Sequence, residues 1–457
     1  VRGGVRAAIQ GHGVRETGTT GRGEIGRVSR RTVTVEGVLG MVLLWAVAKA
    51  FSIWAYVLRP GEYSDTYYYF LQIEKAKQIG GSLATIFPEY PTPAAWLLML
   101  PSWLGAEGYE GYRAGFLVLV TLFDAAFTAL LIARTGPIGV AGWVLLVTLS
   151  GRLALLRFDI VPAVLAGAAV LLLLERRFVA AGPVIAAATA LKVWPLLLFP
   201  LTLARRGRRV AATLATIGTG VLLAALSVWD AGLTRLFSPL SYQSLRGLQI
   251  EAVVATPAMW RRLTDPSYSV FFSQWNAYEV AGPAVPALLL VADAALLAGL
   301  AVFALVLVRW FAAGCPPWRA AWAALFVIAM MIVTSKAFSP QYMLWLAAPA
   351  VVVLGVAWRR PAPDALPETP HPDAPGAPDA PGVSAPAAAT ASYGCVFALM
   401  ALTVWIYPVT YDDWLFHNAR RPVVLVTARN ALLVAYTVAL AWLALRTPPS
   451  RQQAATR

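Results

Sequence analysis

The feature that most constrains this chain is that its apolar residues come in long runs, with arginines standing at the ends of most of them. A bilayer core about 30 Å thick is crossed by roughly 20 apolar residues as helix. In hydrocarbon every backbone polar group needs an internal partner, which a helix supplies. Runs near 35–58, 112–133, 138–152, 159–174, 210–229, 283–309, 318–334, 342–357, 392–409 and 423–445 fit that requirement. The expected fold is all-α, a polytopic transmembrane helical bundle of about 10 spans plus a broken re-entrant hairpin, or about 12 if the hairpin counts as two. Composition agrees, with 59% of the residues hydrophobic and 13% charged, against about 25% charged in a soluble domain.

The net charge of +14 is read as the cytoplasmic excess of Lys and Arg rather than as a nucleic-acid surface, since no nucleic-acid motif accompanies it. Residues 1–34 read as a disordered basic cytoplasmic tail, and the run from Val35 as a retained first helix. Residues 35–357 form the expected core, with outer loops 59–111 and 230–282. A Pro/Ala-rich cytoplasmic linker follows over 358–391, then two C-terminal helices within 392–445 and a tail over 446–457. Alternation from a cytoplasmic N-terminus puts both large loops on the outer side. Cys315 and Cys395 fall near cytoplasmic helix ends, so no disulfide framework is expected. His12, His371 and His417 lie in three separate hydrophilic segments, and no metal site is expected.

The segment 178–204 is flanked by arginines at both ends and is too short for two full spans. It reads as a hairpin broken at Lys192-Val193-Trp194-Pro195. Broken helices at membrane depth line cavities or are buried in protein. A cation there is costly, about 2.5 kcal/mol or more, and marks a site. Lys192 therefore suggests a lipid phosphate, with a carboxylate partner inside the bundle as the plainer reading.

Other polar groups gather at the outer helix ends. Asp65 leads Thr66-Tyr67-Tyr68-Tyr69 at the membrane edge, where partial desolvation moves a carboxylate toward the range of a general base. An interfacial aromatic belt accounts for these tyrosines equally well. Glu89 stands among prolines and aromatics, where a rigid packing loop or a hold on sugar hydroxyls would use it. Arg157 and Asp159 open the fourth helix, Asp159 suiting its N-terminus and Arg157 either Asp159 or a phosphate. Arg246 offers a planar fork for phosphate oxygens, with Gln249 and Glu251 as hydroxyl partners; a solvated loop is the alternative. Lys336, Gln341 and Tyr342 converge in one tight turn. Lys49 and Asp124 fall at similar depths in helices 1 and 2 and read as a structural ion pair, while Asp293 has no evident partner.

Taken in order, Asp65-Thr66-Tyr67-Tyr68-Tyr69, Glu89-Tyr90-Pro91, Arg157-Phe158-Asp159, Lys192-Val193-Trp194-Pro195, Arg246-Gly247-Leu248-Gln249 and the stretch from Lys336 to Tyr342 resemble the C-type (GT-C) membrane glycosyltransferases. The closest likeness is to family 87, the polyprenyl-phosphate-mannose-dependent α-mannosyltransferases. The resemblance implies that Asp65 is the catalytic base of an inverting single displacement. The expected donor is a polyprenyl-phosphate sugar, with Lys192, Arg246 and Lys336 on its phosphate. Tyr68, Tyr69, Glu89, Arg157, Asp159, Gln249, Glu251, Gln341 and Tyr342 are expected to bind sugar or acceptor. The expected partners are that lipid-linked donor, a glycolipid or cell-envelope glycan acceptor and membrane lipids. No cofactor and no metal are expected, and the expected location is the bacterial plasma membrane with an extracytoplasmic site. The competing class is a lipid or sugar transporter, which would gather its polar groups at the midplane rather than at helix ends.

Overall fold

The computed structural model describes residues 34–58, 65–81, 85–359 and 385–446. The tails expected over 1–34 and 446–457, apart from Thr34 and Arg446, and most of the linker lie outside the described residues, as do His12 and His371.

In chain order the helices are α1 (Val35–Tyr56), α2 (Asp65–Gln78), α3 (Thr92–Trp103), α4 (Gly108–Arg134), α5 (Pro137–Ser150), α6 (Arg152–Leu155), α7 (Ile160–Leu174) and α8 (Phe178–Leu191). A 3-10 segment (Trp194–Ala204) leads to α9 (Arg209–Ala231), α10 (Leu233–Ser244) and α11 (Thr256–Arg262). A short hairpin, β1 (Ser269–Phe272) and β2 (Tyr278–Ala281), precedes α12 (Val285–Ala312), α13 (Pro317–Val333), α14 (Met343–Ala357), α15 (Ala385–Val404), α16 (Tyr411–Leu415) and α17 (Arg420–Leu445). Among the described residues, seven helical segments are long and apolar enough to cross a membrane, and five shorter apolar helices pack among them. The fold is an all-α polytopic membrane bundle.

Burial separates the helices into two classes. The most apolar stretch of α14 is 89% buried, against 17% in α1, α9 and α12. The enclosed stretch has a lower mean hydropathy than the three exposed ones, so the difference is one of neighbours. α14 is enclosed by α5, α7, α13 and α15. Its approach to α7 depends on Gly167, where an added Cβ would stand 2.8 Å from Phe127 and 2.9 Å from Ala348. Small residues allow such close crossings when lipid gives helices no hydrophobic reason to associate. α1 exposes Leu39, Leu43, Val47 and Trp54 on one stripe. Apolar surface of that extent suits contact with lipid chains and not with water.

Two expectations change. The stretches 59–111 and 230–282 are not plain loops, since they contain α2, α3, α10, α11 and the hairpin. α2 has too few apolar residues to announce itself as a span, but tyrosines and Ile73 on one side pack it on α4. The C-terminal helix pair also begins at Ala385 rather than at 392. Its first residues are Ala-rich, and alanine is the best helix former.

Candidate active site

Asp65 opens α2, and Tyr68 and Tyr69 follow at the three- and four-residue spacings that share a helix face. Tyr69 is buried, and its hydroxyl meets that of Tyr90 at 3.0 Å. Tyr68 donates to Glu89 at 2.8 Å. Asp65 lies 3.4 Å from the Arg157 guanidinium, and its side chain keeps 28% exposure. Burial pushes the Asp65 carboxyl above its ordinary value; the Arg157 charge opposes this, Asp159 adds to it and Lys192 subtracts.

Arg157 and Asp159 sit at the turn into α7. Asp159 holds the N-cap position but makes no side-chain cap bond. Its Oδ1 instead accepts from Lys192 Nζ at 2.5 Å and from Trp345 Nε1 at 2.8 Å, while Oδ2 has no partner among the described residues. Lys192 is the point where the hairpin breaks. α8 ends at Leu191, Lys192 is extended (φ −156°, ψ 130°), and the 3-10 segment begins at Trp194. Three rings surround its ammonium: Trp345 at 5.1 Å, Tyr342 at 5.2 Å and Tyr90 at 5.7 Å. One carboxylate and three π faces hold the cation in place without adding a second full negative charge. Arg157 also donates to Gln341 at 2.5 Å and lies 5.0 Å from the centroid of the Tyr407 ring. Asp65, Arg157, Asp159, Lys192, Gln341 and Tyr342 thus come together from four separate stretches of chain.

A second group adjoins the first through Tyr68. Phe87, with φ 52°, turns the chain so that Glu89 follows. Arg235 of α10 fixes that turn by donating to the carbonyls of Phe87 at 2.6 Å and Ile86 at 3.1 Å. Burial raises the Glu89 carboxyl, against the Tyr68 hydrogen bond and the charges of Arg235 and Arg246. Arg246 lies 6.0 Å from the Tyr242 ring centroid. Glu89 Oε2 and Arg246 Nε have no hydrogen-bond partner among the described residues. No hydrogen bond, ion pair or ring contact there joins Arg246 or Lys336 to Lys192. Lys336 donates to the Ser244 carbonyl at 3.0 Å.

Gln249 and Glu251 take different places. Gln249 donates through Nε2 to Ser339 at 3.2 Å and through its backbone N to the Lys336 carbonyl at 2.9 Å, stitching two loops together. Glu251 is fully buried and pairs with Arg429 of α17 at 2.6 Å. Arg429 lies 4.2 Å from the Phe338 ring centroid. Deeper in the bundle, Lys49 and Asp124 meet at 2.9 Å, and Asp124 also accepts from Trp45 at 2.7 Å and Trp143 at 2.6 Å.

Trp345, Tyr407 and Arg235 were not singled out by sequence. Trp345 follows Tyr342 at i,i+3, and the two rings stack at 3.9 Å, so helical spacing was a usable signal. Tyr407 lies beyond the linker in the C-terminal helix pair, and nothing local ties it to Arg157. The contacts of Asp65, Arg157, Asp159 and Lys192 lie at the end of the bundle where α7 and α14 begin and α8 ends. At the other end Arg134 pairs with Glu175, and Arg359 donates to the Arg134 carbonyl at 3.2 Å.

The arrangement can bind an anion beside Lys192 and take a proton at Asp65. A comparison with curated proteins finds no match. The family model for glycosyltransferase family 87 matches residues 87–340, a span that holds Glu89, Arg157, Asp159, Lys192 and Arg246; Asp65 precedes it, and Gln341, Tyr342, Trp345 and Tyr407 follow it. That match covers more than half of the 457 residues, and the chain belongs to glycosyltransferase family 87.

Proposed function

We propose that this glycosyltransferase moves a sugar, mannose by preference, from a polyprenyl-phosphate donor to a glycolipid or cell-envelope glycan hydroxyl. The reading rests on one observation: the Asp65 carboxylate, 3.4 Å from Arg157, lies close enough to the ring-caged Lys192 ammonium, 19% exposed, to feel its charge. The acceptor oxygen attacks C1 of the sugar while the bond from C1 to the phosphate oxygen breaks. The proton passes to Asp65, the polyprenyl phosphate leaves as the anion, and the anomeric configuration inverts. Charge grows on the departing phosphate, and Lys192 would balance it. Arg157 would steer Asp65, and Glu89 with Tyr68 would hold sugar hydroxyls.

The arginines at the opposite end favour the cytoplasmic side, which would turn the Asp65 end outward from a bacterial plasma membrane. A donor used there must bring its own leaving group through the lipid, and a polyprenyl phosphate does. The polar groups gather at helix ends, as a transferase requires and a midplane transporter does not.

The test is transfer by the purified protein in liposomes. Labelled polyprenyl-phosphate mannose is expected to give product and labelled nucleotide mannose none, with a chelator leaving the rate unchanged. Product from the nucleotide sugar alone would overturn the proposed donor, and movement of intact donor across the bilayer without transfer would overturn the proposed reaction.

A further inference from the structure

The end of the bundle away from Asp65 carries a second concentration of charge that the transfer chemistry does not use. A cavity of about 790 Å³ opens between the 3-10 segment and the end of α12, lined by Arg206, Arg209, Leu203, Phe311 and Cys315 among others. A neighbouring one of about 260 Å³ is lined by Arg176, Arg177, Arg205 and Arg208 beside Phe178. The buried Cys315 thiol feels the charges of Arg209, Arg176 and Arg206, which ties the two cavities into one electrostatic region.

Six guanidinium groups therefore come from two short stretches of chain, 176–177 and 205–209. Among the described residues none of them forms an ion pair. Glu175, next in the chain, is engaged by Arg134. Arg209 is oriented by the Leu203 carbonyl at 2.7 Å and lies 5.3 Å from the Phe311 ring centroid. Arg176 closes α7 in the left-handed region at φ 59°, where glycine would cost less. Like charges gathered this way repel unless an anion sits among them, and the positive-inside bias explains their side of the membrane but not their convergence on two cavities.

We propose that these cavities bind the phosphate headgroup of an anionic phospholipid. Guanidinium forks match phosphate oxygens in pairs, which a lysine cannot do. The apolar wall of Leu203, Phe311 and Phe178 gives the glycerol and the first acyl carbons a surface, and helix ends are where headgroups lie. The site is separate from the transfer site and does not depend on the donor proposed above.

The test is native mass spectrometry of the full-length protein released from nanodiscs of phosphatidylglycerol mixed with phosphatidylcholine. Wild type is expected to keep phosphatidylglycerol selectively. The Arg205→Gln/Arg208→Gln and Arg177→Gln/Arg206→Gln variants should each keep about tenfold less, and Arg446→Gln, a charge control, as much as wild type. Thermal unfolding checks that each variant is folded, and a pair that fails to fold leaves the other to decide. Equal retention of both lipids by wild type, or full retention by a folded double variant, would overturn the proposal. Displacement of the lipid by inorganic phosphate would show a site for free anion instead, and would overturn it as well.

Discussion

Asp65→Asn keeps the shape of the side chain and an oxygen for Arg157 but removes the charge and the ability to take a proton. A positioned base contributes about 10²–10⁴-fold to a rate, or roughly 2.7–5.5 kcal/mol of barrier at 1.36 kcal/mol per tenfold. Turnover should fall by that factor with little change in donor affinity, because Lys192 and its ring cage stay intact. The effect on stability has the opposite sign. The contact with Arg157 is long, at 3.4 Å, and the carboxyl is partly exposed, so losing it costs no more than about 1 kcal/mol. Burial lifts the folded-state proton affinity above the ordinary value of 3.8. As pH rises through that value the unfolded chain loses its proton first, and the folded chain grows relatively less stable until its own carboxyl ionises. Above that point the penalty stays constant. At neutral pH the variant should therefore melt at or above the wild-type temperature, and below both values the two should converge. The wild-type rate should also fall on acidification along a limb that lies above pH 3.8, and the variant should lack that limb. The assay is transfer from labelled lipid-phosphate sugar across a pH series, beside thermal unfolding in detergent. A variant within about tenfold of wild-type turnover, or one that keeps the acid limb, would refute the assignment of the base.

Two further outcomes test what holds the site together. Glu251→Gln should destabilise the protein by about 3–5 kcal/mol, because it strands Arg429 without a counter-charge, and Arg429→Met in the same chain should recover part of that loss in thermal unfolding. Full additivity of the two changes would mean that the pair does not couple α17 to the loop. Tyr407→Ala should lower turnover roughly five- to thirtyfold, from about 1–2 kcal/mol of cation–π support removed from Arg157. Tyr407→Phe should lose less, and unchanged kinetics in the alanine variant would show that Arg157 is positioned without it.

The sequence determined the class of this protein, since runs of about 20 apolar residues have one stable solution in a membrane. Most span boundaries were legible to within a turn, and so was the break at Lys192, because a cation and a proline inside an apolar run permit little else. The order of the polar motifs was legible as well, and it carried the resemblance to family 87. Proximity between distant segments was not written locally. Lys192 gives no sign in sequence that Asp159 and three rings will surround it. Glu251 looks like any loop carboxylate until α17 brings Arg429 against it. Arg246 and Lys192, both cations near helix ends, join different neighbours. Apolar periodicity shows where a helix runs and which side is greasy, but α1 and α14 are both apolar and one is largely exposed while the other is enclosed. Only tertiary packing decides that, because in a bilayer the choice of neighbours depends on close side-chain fit and on buried polar pairs rather than on escape from water.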